Sequence, residues 1–152
     1  MAENERQTVN FDSYREIVVG IDGSEASNQA LSWAVEEAKV RGASIKIVHA
    51  WEYPALAYGA YANEGLDLEA GGKEILTQAT DLVNSIDKDV SVTTVLREGN
   101  PVPILSQESE HSDLLVVGSR GHGGFASLVL GSVSSQLAHH TKTTLVIVRN
   151  KH

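Results

Sequence analysis

The sequence predicts a doubly wound α/β fold: a single domain whose five-stranded parallel sheet carries helices on both faces. Three observations support this prediction. Five strand-like apolar runs alternate with four segments of helical periodicity, an order typical of parallel sheets. The chain is 41% hydrophobic but only 5% aromatic, which suits aliphatic strands buried on both faces. Near the C-terminus, a glycine-rich loop joins a buried strand to a helix.

The first strand and the first helix have clear periodicity. Residues 17–21 read IVVGI, an unbroken apolar run typical of a strand that is covered on both faces. After the sequence DGS, apolar residues recur at helical spacing as far as Gly42, which stands where a C-cap glycine is expected. The further elements predicted in the same way are strand 45–51, helix 73–86, strand 90–96, helix 103–111, strand 113–118, helix 132–140 and strand 144–149.

Length and composition limit the class of protein. We expect one folded domain at residues 15–150 behind a flexible, polar N-terminal tail at residues 1–14. That tail has no apolar segment typical of a signal peptide, and no run of about 18 apolar residues predicts a membrane span. The absence of cysteine excludes disulfides, thiolate metal sites and cysteine nucleophiles. Cytoplasmic residence is therefore the expectation.

The charge distribution bears on the kind of ligand. A net charge of −8 without a basic stripe argues against nucleic acid as a general partner. Acidic residues are concentrated at 36–37, 64–74 and 108–113, whereas segment 119–130 contains Arg120 and a histidine and no acid. A locally cationic loop on an acidic protein remains suited to a small anionic ligand.

The segment 114–141 carries the most specific signal in the chain. It reads as a buried strand, a glycine-rich loop and the start of a helix at Gly131 and Ser132. Glycines let backbone amides approach a ligand without a Cβ in the way, and a helix N-terminus adds N–H groups and a partial positive charge. Phosphate is the ligand that suits such a site.

The spacing of these glycines resembles the nucleotide-binding signature of the universal stress protein family. Two residues separate Gly118 from Gly121, nine separate Gly121 from Gly131, and Ser132 follows directly. The strand before the motif and the helix after it are the context that a phosphate loop requires. The opening segment 17–31 is similar to the family's first strand and loop.

The family resemblance implies more than the residue pattern does. It implies the strand order 3-2-1-4-5 of an adenine nucleotide alpha hydrolase-like fold, ATP with Mg²⁺ as the ligand, and a homodimer formed through the fifth strand, residues 144–149. It also implies a nucleotide-responsive regulator of the stress response. With that strand order, the loops after strands 1 and 4 face one crevice, where parallel sheets bind ligands.

The resemblance implies roles for residues around this crevice. The acid Asp22 would meet the ribose, although it could instead cap the first helix. Ser132 and the Gly131 amide would hold phosphates with support from Ser134, and adenine would lie against the ends of strands 2 and 4. The expected nucleotide-binding residues are Gly20, Ile21, Asp22, Ala50, Val117, Gly118, Ser119, Arg120, Gly121, His122, Gly131, Ser132, Val133 and Ser134.

Several residues have a structural interpretation as well. Arg120 and His122 are either phosphate donors or ordinary surface residues of a loop. His49 on the second strand is expected to be a core or strand-end histidine, while the last-turn pair 139–140 suits the dipole of the fourth helix. The irregular segment 52–72, which contains three tyrosines, is long enough to be a functional lid or a mobile linker.

Catalytic motifs are not evident. No Walker A lysine, nucleophile elbow or HExxH sequence occurs, and Asp22 and His122 are the only titratable candidates near the expected phosphates. Slow ATP hydrolysis at most is expected. The alternatives are an adenine-nucleotide-dependent hydrolase or transferase, disfavoured because the first loop reads DGSEAS and not SGGxDS, and a nucleotide-free protein-interaction scaffold.

Overall fold

The computed structural model describes residues 14–53, 67–120 and 130–149. The expected site residues Gly121 and His122, tail residues 1–13 and loop residues 54–66 lie outside this part of the chain. The elements, in chain order, are β1 (Glu16–Gly20), α1 (Glu25–Arg41), β2 (Ser44–Trp51), α2 (Leu68–Ile86), β3 (Val92–Glu98), α3 (Pro101–Glu108), β4 (Leu114–Gly118), α4 (Ser132–His140) and β5 (Leu145–Val148).

The sheet has the predicted topology. Its strands are parallel in the order β3-β2-β1-β4-β5, so β1 lies at the centre. Alternate residues of β1 serve two cores: Ile17 and Val19 pack under α1 and α2, whereas Val18 packs under α3 and α4. All three side chains are fully buried. Helices therefore cover both faces of the sheet, and the predicted fold class is confirmed.

The boundaries of α1 follow from its caps. Ser24 is the N-cap, and its Oγ accepts a hydrogen bond from the Ser27 amide at 3.2 Å. At the other end, Gly42 has φ 70°, a left-handed conformation that favours glycine. The predicted C-cap glycine is confirmed.

Helix α2 begins earlier than residue 73, where the periodicity places it. Asp67 caps the helix by accepting a hydrogen bond from the Ala70 amide at 2.8 Å. Gly71 and Gly72 favour a loop by composition, but both are helical here. A Cβ on Gly72 would lie 2.7 Å from Leu96 Cδ1, so glycine lets the second turn of α2 approach the sheet closely.

Two further boundaries differ from the predictions for physical reasons. Helix α3 begins at Pro101 and not at residue 103, because Asn100 caps the Val102 amide at 2.9 Å and proline suits the first helical position. Strand β3 begins and ends two residues later than predicted. As an edge strand it carries polar residues, and its pairing with β2 continues through Arg97 and Glu98 beyond the apolar run.

Candidate functional site

The candidate site lies where the strand order reverses. The chain passes from β1 to β2 and β3 on one side of the sheet, and from β4 to β5 on the other. Val19 of β1 pairs with Val116 of β4, so the carboxyl ends of these two strands lie side by side. Ligands of doubly wound folds bind outside such a switch point.

Gly118 brings the two sequence motifs together. A Cβ at this position would lie 3.0 Å from the backbone carbonyl carbon and oxygen of Ala26, in the first turn of α1. The absence of a side chain therefore lets the start of α1 cross closely over the end of β4. The loop after β1 and the loop after β4, distant in sequence, lie at one place in the fold.

Hydrogen bonds to β2 and within the loop fix the conformation of the loop after β1. The Ile21 amide extends the ladder by donating to the Val48 carbonyl oxygen at 3.0 Å. Asp22 Oδ1 accepts from the Ser24 amide at 2.9 Å, which makes a local Asx turn. The N-cap of α1 is Ser24, so Asp22 is not the helix-capping residue that one interpretation expected. Its carboxylate lies half-buried at the mouth of the site.

The N-terminus of α4 differs from the other described helix starts. In α1, α2 and α3 a side chain caps the first turn, whereas the N-cap of α4 is Gly131, with no side-chain cap hydrogen bond. The first turn of α4 also contains no acid. The first N–H groups of a helix have no intrahelical acceptor and carry partial positive charge. This turn is therefore suited to an external anion.

Two expected phosphate ligands have internal partners in this structure. The carbonyl oxygen of Ser119 accepts from the Gly131 amide at 2.5 Å and from Ser134 Oγ at 2.9 Å. These bonds tie together the two ends of the loop that separates β4 from α4. The donors that α4 presents are consequently the amides of its first turn, residues 132–134, and the exposed hydroxyl of Ser132.

An apolar surface adjoins this turn on the same face of the sheet. Three of the expected site residues lie here: Val117 is a buried member of the core cluster under α3 and α4, and Ala50 and Val133 are partly buried and pack against it. A Cβ on Gly20 would lie 2.8 Å from Leu105 Cδ1, so glycine permits close packing where β1 ends. The structure thus brings the expected adenine contacts to the same end of the sheet as the start of α4.

The histidines and Arg120 are the remaining residues for which the sequence suggests a role. His49 is only 7% exposed and its Nδ1 lies 2.8 Å from the carbonyl oxygen of Ile21, which agrees with a buried strand histidine. The sequence gives no local signal that this ring contacts the first loop, because His49 and Ile21 are far apart in the chain. Arg120 directly follows Ser119 at the edge of the described loop, and the pair 139–140 lies exposed in the last turn of α4.

Metal clusters and membrane spans are both absent from the described residues. No group of three or more histidine, aspartate or glutamate side chains is arranged to hold a metal ion there. Among the helices of that same part of the chain, none combines the length and the apolar character of a membrane span.

Known proteins with similar sequences and structures indicate the family of this chain. A universal stress protein from Mycolicibacterium smegmatis is 34% identical over 142 residues, which cover 91% of this chain and 47% of that protein. The chain therefore spans about half the length of this curated relative. A solved structure described as a universal stress protein in complex with cAMP is 30% identical, with a TM-score of 0.66, and the match covers 90% of this chain and 97% of that one.

A second solved structure supports the fold. Universal stress protein UspA from Lactobacillus plantarum is 24% identical, with a TM-score of 0.77, over 90% of this chain and 99% of that one. The family model described as "Universal stress protein family" matches residues 13–149. Because this match takes in nearly the whole chain, and a relative exceeds 30% identity over most of it, the chain belongs to the universal stress protein family.

Proposed function

We propose that this protein binds an adenine nucleotide, ATP with Mg²⁺, at the carboxyl ends of β1 and β4, and acts as a nucleotide-responsive regulator of the stress response. One observation carries the proposal: the start of α4, whose N-cap Gly131 has no side chain to cap the first turn, lies beside Ser119, next to the loop that presents Asp22. The relative described as a complex with cAMP is in favour of this ligand class.

The phosphates are assigned to the first turn of α4. Amides of residues 132–134 point along the helix axis toward its N-terminal end, and an anion placed there offsets their partial positive charge. The Ser132 hydroxyl adds a further donor. Mg²⁺ in such a site is held largely by phosphate oxygens and water.

The nucleoside is assigned to the neighbouring surface. Ala50 and Val133 offer apolar contact for a purine, and backbone groups at the ends of β2 and β4, Val117 among them, supply hydrogen bonds. The carboxylate of Asp22 accepts hydrogen bonds from ribose hydroxyls, which suits its position at the mouth of the loop. This arrangement distinguishes the base end of the ligand from the phosphate end.

The same arrangement favours binding over catalysis. Fast phosphoryl transfer requires a positioned base or water-orienting group together with charge neutralisation. We assign only slow hydrolysis to this site, below about 1 s⁻¹, the low end of ordinary enzymes. Steady turnover well above that rate, lost in an Asp22→Asn variant, would favour the alternative of an adenine-nucleotide-dependent enzyme.

A second copy of the chain is the proposed partner. Strand β5 lies at an edge of the sheet, and its four apolar residues are all half-buried and not fully covered within one copy. An exposed apolar edge strand favours association. The homodimer through β5 and the cytoplasmic residence expected from the sequence both stay predictions.

Ser132 offers a direct test of the phosphate assignment. Ser132→Asp places an acid in the first turn of α4, where it suits the helix dipole and should stabilise the fold by about 0.3–1 kcal/mol. The same charge repels phosphates, and near a protein surface two charges about 4 Å apart interact by up to about 4 kcal/mol. We therefore expect ATP affinity to fall at least tenfold, about 1.4 kcal/mol, while the melting temperature is maintained.

The matched control is Ser132→Asn, which has the same shape as the aspartate variant without its charge. Calorimetric titration of both variants with ATP and with adenosine separates the contribution of the phosphates to affinity from that of the nucleoside. Adenosine affinity should be the same in both. Equal ATP affinity in a folded Ser132→Asp variant and in Ser132→Asn would refute the placement of phosphates at α4.

A further inference from the structure

The peptide bond between Ile21 and Asp22 is held at both of its polar ends. Its carbonyl oxygen, on Ile21, lies 2.8 Å from His49 Nδ1. Its N–H, on Asp22, donates to Ser27 Oγ at 3.4 Å. The two partners are buried, with His49 7% and Ser27 4% exposed. Because a peptide unit is planar, contacts at both ends fix the direction of the whole unit.

The hydrogen-bonding groups of His49 and Ser27 fit this orientation of the peptide unit. A carbonyl oxygen only accepts, so the ring nitrogen that faces Ile21, Nδ1, carries a proton. Ser27 Oγ gives its own proton to the Ser24 carbonyl oxygen at 2.9 Å. A lone pair of that oxygen is then directed to the Asp22 amide.

The held peptide determines where the Asp22 side chain begins. Its Cα is one of the atoms of this peptide plane, and Asp22 Oδ1 is fixed in turn by the Ser24 amide at 2.9 Å. We propose that His49 is a positioning residue of the nucleotide site, which, together with Ser27, orients Asp22 toward the ribose of the ligand. The proposal rests on the proposed function, in which Asp22 contacts the nucleotide.

Packing alone does not account for a histidine at this position. The ring lies against the second turn of α2, where its Cδ2 is 3.0 Å from the point at which a Cβ on Gly72 would stand. Leu96 of β3 packs at the same point, with its Cδ1 2.7 Å from it. A leucine would fill such an apolar contact, but it has no proton to give to the Ile21 carbonyl.

Two substitutions of His49 separate packing from positioning. Asparagine places an amide nitrogen as many bonds from Cα as Nδ1, so His49→Asn keeps a donor, whereas His49→Leu has a similar branched shape without one. We expect nucleotide affinity to fall about tenfold in His49→Leu, equivalent to 1.4 kcal/mol, and to be largely rescued in His49→Asn. Leu96→Ala is the control: it loosens the same packing and should lower the melting temperature without changing affinity.

Calorimetry with ATP measures these affinities, and two measurements on ligand-free protein accompany it. The ¹⁵N chemical shifts of the His49 ring should report a protonated Nδ1, and hydrogen exchange of the Asp22 amide should be faster in His49→Leu than in His49→Asn. Affinity that tracks the melting temperature across all three variants would overturn the proposal and leave His49 a packing residue.

A different result is expected if the proposed function itself is wrong. If the unmodified protein binds no adenine nucleotide, the nucleotide site is wrong, and the positioning of Asp22 is then judged on the ligand-free protein alone. Unprotonated Nδ1, or equal exchange of the Asp22 amide in the leucine and asparagine variants, would overturn the positioning role in that case.

Discussion

Single atoms decide how closely the elements of the site approach one another. At Gly118 the backbone of α1 stands 3.0 Å from where a Cβ would lie, and that backbone cannot rotate away as a side chain would. At Gly71, in the first turns of α2, nothing lies within 4 Å of an added Cβ. The two glycines therefore have different structural roles.

Alanine substitution should act in opposite directions at these two positions. Gly118→Ala forces β4 and α1 apart, and we expect the free energy of unfolding to fall by about 1–3 kcal/mol. Gly71→Ala adds a methyl group in open space within a helix, and should stabilise the protein by up to about 1 kcal/mol. Urea unfolding monitored by circular dichroism measures both. A Gly118→Ala variant as stable as the parent would contradict the close contact between α1 and β4.

At the level of elements, the sequence predicts the boundary of a helix accurately where the residues beside that boundary indicate it. Helix α4 begins and ends at the predicted residues, since a glycine precedes it and its apolar periodicity is regular. Helix α2 was predicted five residues too short at its start, because Gly71 and Gly72 disfavour helix locally and only contact with the sheet explains Gly72. Tertiary packing, which a single sequence does not report, outweighed propensity there.

The sequence likewise predicts those parts of the candidate site that have a local pattern. Glycine spacing indicates the loop after β4, and the resemblance to a family supplies the strand order that joins it to the loop after β1. The sequence did not reveal that Gly131 and Ser134 close the loop on Ser119, nor that His49 contacts Ile21. Both arrangements depend on pairs of residues from separate elements, for which no local pattern exists.

For the whole molecule, the exposed edge at β5 leads to a prediction about assembly. Half-exposed apolar residues on an edge strand are best covered by the same strand of a second copy, related by a two-fold axis. We expect a homodimer at micromolar concentration in sedimentation velocity. Val146→Lys should shift it toward monomer without unfolding it, because lysine on an edge strand opposes pairing. The control is Thr93→Lys, a substitution on the opposite edge strand, β3, which should leave the dimer intact. A monomer with and without ATP would rule the arrangement out.

The central claim is that phosphates bind at the first turn of α4 while the nucleoside lies along the ends of β2 and β4. Amide NMR titration of the ¹⁵N-labelled protein tests it in one measurement. ATP should shift the amides of residues 132–134 together with those of Ala50 and Val117, whereas adenosine should shift only the latter two strongly. Saturable ATP binding that leaves the amides of residues 132–134 unchanged, or no binding of ATP, would contradict the account.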